Sequence, residues 1–331
     1  MRQQQFEQAH NAFWEQLAST LTRLEQGQRR QQPDLAEGID HFADDYRRLC
    51  HHLALARQRG YGPALVQRLN ALVLRGHRQL YQYRPPLMPR LRAFVRTDFP
   101  RTVRAQWPWH LASGLSFVIA MALIWLLVAW QPDRIHSVLG GETLASIESM
   151  YANERGLGER GSDDDMLMFG YYIYNNISVA FRSFAGGLFF GVGALFIMIF
   201  NGGFFGAVAG HLVNIEAGEA LFTFVIAHGA PEITALILAG GAGLRLGAAV
   251  LAPGQLTRLA ALREAARSGM PVIYGVILLL ILAAFIEAFW SPRLLPAEIK
   301  YSVGAACWAL LALYLTLAGR ERAPAAQEPP P

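Results

Sequence analysis

Charge is scarce in this chain. Asp, Glu, Lys and Arg together make up 16% of 331 residues and hydrophobic residues 53%, with a mean hydropathy of +0.23, whereas soluble globular domains carry roughly 25% charged residues. That balance excludes an entirely soluble chain. Cysteine is scarcer still, with only Cys50 and Cys307. One falls in a polar stretch and the other in an apolar run, so neither a disulfide framework nor a cysteine metal site is supported. No apolar core run occurs in the first twenty residues, so a secretory leader is not expected. The G-x-x-x-x-G-K-[ST] phosphate loop, the H-E-x-x-H helix and the G-x-S-x-G elbow are all missing, which leaves ATP hydrolysis and standard hydrolysis without their parts. No enzymatic activity, no cofactor and no resident metal is expected. Nor is a nucleic-acid partner: the basic pI of about 9.2 is explained by arginine clusters.

What charge there is lies unevenly. Residues 1–107 are rich in Arg, Gln and Asp, whereas 170–253 carry few ionisable groups. Measured against the roughly 20 apolar residues that a membrane helix needs, a first span runs from about His110 to Trp130, with Trp107, Trp109 and Trp130 at interfacial positions. A second is expected from about Asn176 to Phe200, a fifth from Pro271 to Trp290 and a sixth from Ser302 to Ala318. Between Gly202 and Pro253, polar interruptions at His211, Asn214, Glu216 and Glu219, and again from His228 to Glu232, point to two crossings, at least one of them broken. The fold expected is all-α: a polytopic membrane protein of about six helices. Its parts are a helical bundle (1–86), a basic amphipathic helix (87–108), the membrane domain (109–319) and a disordered tail (320–331).

Orientation follows from arginine near the span ends. Arg90, Arg92, Arg96, Arg101 and Arg104 precede the first span, Arg258, Arg263 and Arg267 follow the fourth, and Arg320 and Arg322 follow the sixth. Six crossings place all of them on one side, expected to be the cytoplasmic face of an inner membrane, together with both termini. The segment 131–169 then lies outside, where Asp133, Glu142, Glu148, Glu154, Glu159 and Asp163 to Asp165 outnumber Arg134, Arg155 and Arg160.

In the N-terminal segment, Phe6, His10, Phe13, Leu17, Thr20 and Leu24 recur at helical spacing, as do Ile39, Phe42, Tyr46, Leu49 and Leu53, and then Leu65, Leu69, Leu72 and Leu80. Breaks at Pro33, Gly60 to Pro63 and Pro85-Pro86 predict three antiparallel helices. The bundle is either a plain packing domain or a docking module for a cytoplasmic partner. Leu91, Phe94, Val95 and Phe99 alternating with the five arginines read as an interfacial helix on lipid headgroups, or as an elbow between a partner and the spans.

The sharpest feature is His228-Gly229-Ala230-Pro231-Glu232, two ionisable side chains inside apolar sequence, where charge costs several kcal/mol. Gly229 and Pro231 suit a half-helix start with Glu232 at its positive end. Such a start is either structural or part of a lined pathway. A metal site is a third reading, against which Pro231 and Gly229 argue by interrupting the helix between His228 and Glu232. Arg182, Asn201, His211 and Glu287 complete the candidate intramembrane polar set. Glu287 has Arg182, Arg245 or the interface near Trp290 as its alternatives. Glycines at a spacing of four, Gly187 and Gly191, then Gly202, Gly206 and Gly210, then Gly243 and Gly247, let helices approach closely, either within the chain or across a homodimer.

The order of Asn175-Asn176 with Ala180 and Phe181, Gly187 and Gly191, Asn201-Gly202 with Gly206, His228-Gly229 with Glu232, Gly240 to Gly243, Pro253-Gly254, and Ala283-Ala284 with Glu287 resembles the stage II sporulation protein M family. The resemblance covers about 175–290. It implies a multi-span protein of the cell envelope; in spore formers the family member works with peptidoglycan-remodelling partners. Two functions are expected: the resemblance favours a scaffold for envelope assembly or cell-wall remodelling proteins, and the polar residues within the spans favour a permease- or channel-like subunit driven by a gradient or a cytoplasmic ATPase.

Overall fold

The computed structural model describes residues 2–25, 34–82, 87–152 and 162–320, and among them every regular element is helical. The chain divides into two compact units, Met1–Arg90 and Leu91–Pro331.

The first unit holds α1 (Gln3–Glu25), α2 (Asp34–Gln58) and α3 (Pro63–Gln82). Pro63 opens α3, where its missing N–H costs nothing, and Gly60 turns the chain at φ +63. The core joins Phe6, Trp14, Leu17 and Leu21 to Leu49, Leu53, Leu65 and Leu69. On α1 the buried stripe passes through Trp14 and Leu21, not through Phe13 and Thr20 as the spacing predicts. Positions 13 and 14 compete for one edge of the apolar face; the larger indole takes the interior, and its Nε1–H donates to His52 Nδ1 at 3.0 Å. His52 is buried beneath it and stacks on His10 at 4.2 Å between centroids. Burial, with the charges of His10 and Arg48 adding to it, lowers the His52 pKa to about 4. Pro33, Pro85-Pro86 and the side chains of Ile39 and Leu80 lie outside the described residues.

The short α4 (Leu87–Ala93) crosses the division between the units, and the second continues with a π turn over Phe94–Asp98 and α5 (Phe99–Ala105). Arg90, Arg92, Arg96 and Arg101 are exposed along this segment, while Phe99 is buried in a notch that Gly275 leaves open. Arg104 Nη1 donates to the Leu315 carbonyl at 2.7 Å and fastens the segment to the helix end beside it.

Among the described residues, five helices are long and apolar enough to cross a membrane: α6 (Trp107–Trp130), α10 (Val192–Asn214), α12 (Gly229–Leu251), α13 (Arg258–Phe289) and α14 (Ala297–Leu317). Between them in sequence stand the short α7 (Ile135–Val138) and α8 (Gly141–Ala152), the 25-residue α9 (Ser162–Gly186) and the eight-residue α11 (Gly218–Val225). α9 begins among aspartates, yet it runs antiparallel to α13 through the same depth. Phe169 meets Phe285 and Phe289 near one end, and Ile177 to Phe184 face Ile273 to Leu280 further on. It is the sixth helix of the bundle.

The span expected over Asn176–Phe200 is therefore corrected. The chain reverses there, with Phe190 at φ 56 and Gly191 at φ +83, so that stretch is the end of α9 and the start of α10. The run stays apolar because the turn is made of Gly and Phe, which hydropathy cannot separate from helix. The broken crossing expected between Gly202 and Pro253 is α11 followed by α12.

Glycine sets how closely these helices approach. A Cβ at Gly202, Gly206 or Gly210 would strike the backbone of Phe117, Met121 or Trp125, which makes α10 and α6 parallel neighbours. Gly187 lies on the backbone of Gly243, and Gly191 on Gly247. All seven glycines are thus used inside the chain, which removes the small-residue faces as grounds for a homodimer. One end of the bundle carries Arg101, Arg104, Arg258, Arg263, Arg267 and Arg320, and the other carries Asp133, Glu142, Glu148, Asp164 and Asp165. These are called the basic and acidic ends below. Glu154, Arg155, Glu159, Arg160, the side chain of Asp163, and 321–331 with Arg322 lie outside the described residues.

Candidate functional site

α11 and α12 make one interrupted helix. After Val225 three residues turn the chain, and α12 begins at Gly229 with His228 as its cap. The cap keeps a helical backbone, φ −74 and ψ −25, and the Glu232 N–H donates to the His228 carbonyl at 3.1 Å. His228 and Glu232 are thereby one turn apart on one face. The argument that Pro231 and Gly229 separate them is corrected: in the first turn proline has no helical acceptor to lose. Gly229 is buried, with the Val225 side chain close against it.

Glu287, two residues before the end of α13, turns into the same place. His228, Glu232 and Glu287 each offer a ligand atom within 4.8 Å of the others, with His228 Nε2 and Glu232 Oε2 at 3.9 Å. His228 is buried against the Phe224 ring, and its Nδ1 is 2.9 Å from Ser291 Oγ. Lys300, the only lysine of the chain, donates from Nζ to the Ser291 carbonyl at 2.9 Å. The three ionisable side chains border a cavity of about 330 Å³ that α8 covers with Ile147, Met150 and Tyr151. Burial, and after it the charge of Glu287, pushes the Tyr151 phenol up to about 12, so that hydroxyl stays protonated and able to donate at neutral pH. Beyond Ser291, towards the acidic end, a polar pocket of about 210 Å³ is lined by Glu219, Thr223, Ser291 and Lys300. Ile226 touches Gly304, seven residues into α14, which sets the helix interruption about 10 Å inside that end.

The remaining members of the expected polar set stand elsewhere. Arg182 is exposed and donates to the Ser178 carbonyl at 3.1 Å, and Asn201 donates to the Ile197 carbonyl at 2.8 Å, each within its own helix. His211 pairs with Glu148 at 2.8 Å and joins α10 to α8. Arg245 bonds Ser268 Oγ at 2.8 Å at the basic end, so neither arginine is placed beside Glu287. Sequence reasoning missed Ser291, Lys300 and Tyr151. The single lysine of the sequence, just ahead of the expected sixth span, was the available signal for Lys300; nothing local marked the other two.

Towards the basic end the bundle encloses polar atoms that have no hydrogen-bond partner among the described residues: both ring nitrogens of His110, Ser113 Oγ, Asn176 Nδ2, Ser183 Oγ and Arg245 Nη1. A Cβ at Gly241 would meet His110, one at Gly240 Ser113, and one at Gly243 the Ser183 carbonyl, which gathers these groups along α12.

No curated relative and no solved structure matches the chain. Residues 4–82 match a domain of unknown function (DUF8413), and residues 113–292, more than half of the chain, match Stage II sporulation protein M. That match takes in α9 to α13 with His228, Glu232 and Glu287, and the resemblance read from the spaced glycines and the His-Gly-x-x-Glu stretch falls inside it: the chain belongs to the stage II sporulation protein M family.

Proposed function

We propose that this family member is a permease-like component of the inner membrane, in which His228, Glu232 and Glu287 form a cation site on a route through the six-helix bundle. The observation that carries the reading is the gathering of two carboxylates and an imidazole at an interrupted helix, beside a cavity of about 330 Å³. Ionisable groups inside a membrane are costly and mark ion pathways, and transporters build such sites where a broken helix begins. The unpartnered polar atoms along α12 continue the path towards the basic end, because buried polar groups need a partner, water or ion. The arginine bias supports a cytoplasmic side for that end and for both termini. A gradient or a separate ATPase supplies the energy, and the chain itself makes and breaks no covalent bond.

The test is charge displacement on a solid-supported membrane carrying the reconstituted protein, with concentration jumps of H⁺, Na⁺, K⁺, Mn²⁺ and Zn²⁺. A transient with at least one cation that disappears in Glu232→Gln is the expected result. No transient with any of them from a folded, monodisperse protein overturns the reading.

A second reading, an envelope scaffold, is favoured by the first unit having a core of its own, as a docking module requires. Cell-wall remodelling enzymes that co-purify with the full chain and are lost on deletion of residues 1–85 would support it.

A further inference from the structure

We propose that His228, Glu232 and Glu287 bind a divalent first-row transition metal ion, which ties α12 to α13. The inference rests on the cation-site reading above and names the cation.

Charge comes first. Two carboxylates brought within 4.8 Å of each other and of an imidazole, on helices apolar enough to cross a membrane, repel one another unless a proton or a cation lies between them. One divalent ion neutralises both. Ligand type comes second. Magnesium and calcium take oxygen ligands almost throughout, whereas an imidazole among carboxylates suits manganese, iron or zinc.

Orientation is the third argument. A metal-binding imidazole commonly holds its other ring nitrogen in a hydrogen bond that fixes ring and tautomer. Here Nδ1 is engaged by Ser291 Oγ at 2.9 Å, Ser291 is fully buried, and Lys300 grips its carbonyl. Nε2 is left facing Glu232 at 3.9 Å, beyond hydrogen-bond reach. Metal bonds of about 2.0–2.2 Å put neighbouring ligands roughly 3–3.5 Å apart. Rotation of the two flexible glutamates through about 1 Å closes that difference while the histidine stays fixed. The adjoining cavity has room for water ligands.

The full-length protein, stripped with chelator in mild detergent, would be titrated with Mn²⁺ followed by paramagnetic resonance, and separately loaded with Zn²⁺, desalted and analysed for bound metal. The expected result is close to one ion per chain, a higher melting temperature with metal, and binding weakened roughly tenfold or more by Glu287→Gln or His228→Gln. Glu148→Gln, which breaks the separate His211 pair, should keep its metal. Should the site variants fail to fold, the nitrogen modulation of the wild-type Mn²⁺ signal decides: its presence reports the imidazole ligand, and its absence overturns the proposal. Folded wild type that binds neither metal, or Glu287→Gln and His228→Gln variants that bind as wild type does, overturns it as well. The two readings fail separately. Charge displacement with H⁺ or Na⁺ and no metal bound leaves the route and removes the metal; metal bound with no displacement leaves a structural clasp and removes the route.

Discussion

The His228 imidazole and the Ser291 hydroxyl stand 2.9 Å apart across 63 positions of sequence, and their bond joins the start of α12 to the chain just past α13. Ser291→Ala removes the hydroxyl that bonds a buried ring nitrogen, at a cost of about 1–3 kcal/mol. The melting temperature in detergent should fall, and Ser291→Thr should restore most of it. A melting temperature unchanged in Ser291→Ala would show that the bond does not hold the site.

Backbone approach between α9 and α12 is the second point to probe. Gly187→Val drives a branched side chain into the Gly243 backbone, and overpacking of this kind costs roughly 1–3 kcal/mol. Gly170→Ala, on the same helix with open space around it, should be neutral or slightly stabilising, since alanine is about 0.5–1 kcal/mol better than glycine inside a helix. Equal melting temperatures for the two variants would refute the packing.

Asp165 and Arg293 anchor the acidic end of α9 to the end of α13, and the carboxylate is almost fully buried. Arg293→Gln leaves that carboxylate without its partner, and breaking such a pair costs about 3 kcal/mol. Arg47→Gln, in the exposed Arg47–Asp44 pair, should shift stability by no more than about 0.5 kcal/mol. Chemical denaturation of both variants compares them directly.

Acid should loosen the first unit. The folded His52 pKa is about 4 against about 6.5 unfolded, so the unfolded chain binds the extra proton between these values. Stability is fully present above pH 6.5 and is lost as pH falls through that window towards 4. Residues 1–82 expressed alone should melt progressively lower from pH 7 to pH 4, and His52→Gln should flatten the dependence. A wild-type profile already flat over that range would contradict the burial of a neutral His52.

Topology can be read by labelling. With Cys50 and Cys307 replaced by serine, an impermeant maleimide added to intact cells should label Glu142→Cys at the acidic end and leave Arg263→Cys unlabelled until the cells are opened. Labelling of both from outside would place the two ends on one side and undo the six-helix arrangement.

Much of the architecture is legible from period and composition. The first span, the three-helix N-terminal unit and the interruption at His228 each rest on local signals: a long apolar run, a 3.6-residue stripe, a proline in a first turn. What is not legible is what needs a partner from far along the chain. Gly187 and Gly191 read as packing inside a span, but their neighbours Gly243 and Gly247 hold them at the end of one helix and the turn into the next. Trp14 displaces Phe13 from the interior because His52, on another helix, accepts its N–H. In the candidate site His228 and Glu232 were visible together, and Glu287 was visible without a place. Ser291 and Tyr151, ordinary residues in ordinary positions, could not be found without the fold.

Lys300 gives the protein an unusual chemical handle. A chain with one lysine offers amine-selective reagents a single side-chain target, and here that ammonium is buried with its donor on the Ser291 carbonyl. Acylation at residue 300 in the folded state has to pass through the polar pocket that Lys300 lines with Glu219 and Ser291, so its rate reports access to the acidic end beside His228. The same scarcity makes lysine cross-linking nearly blind to this protein's surroundings, and neighbours will have to be mapped through its carboxylates.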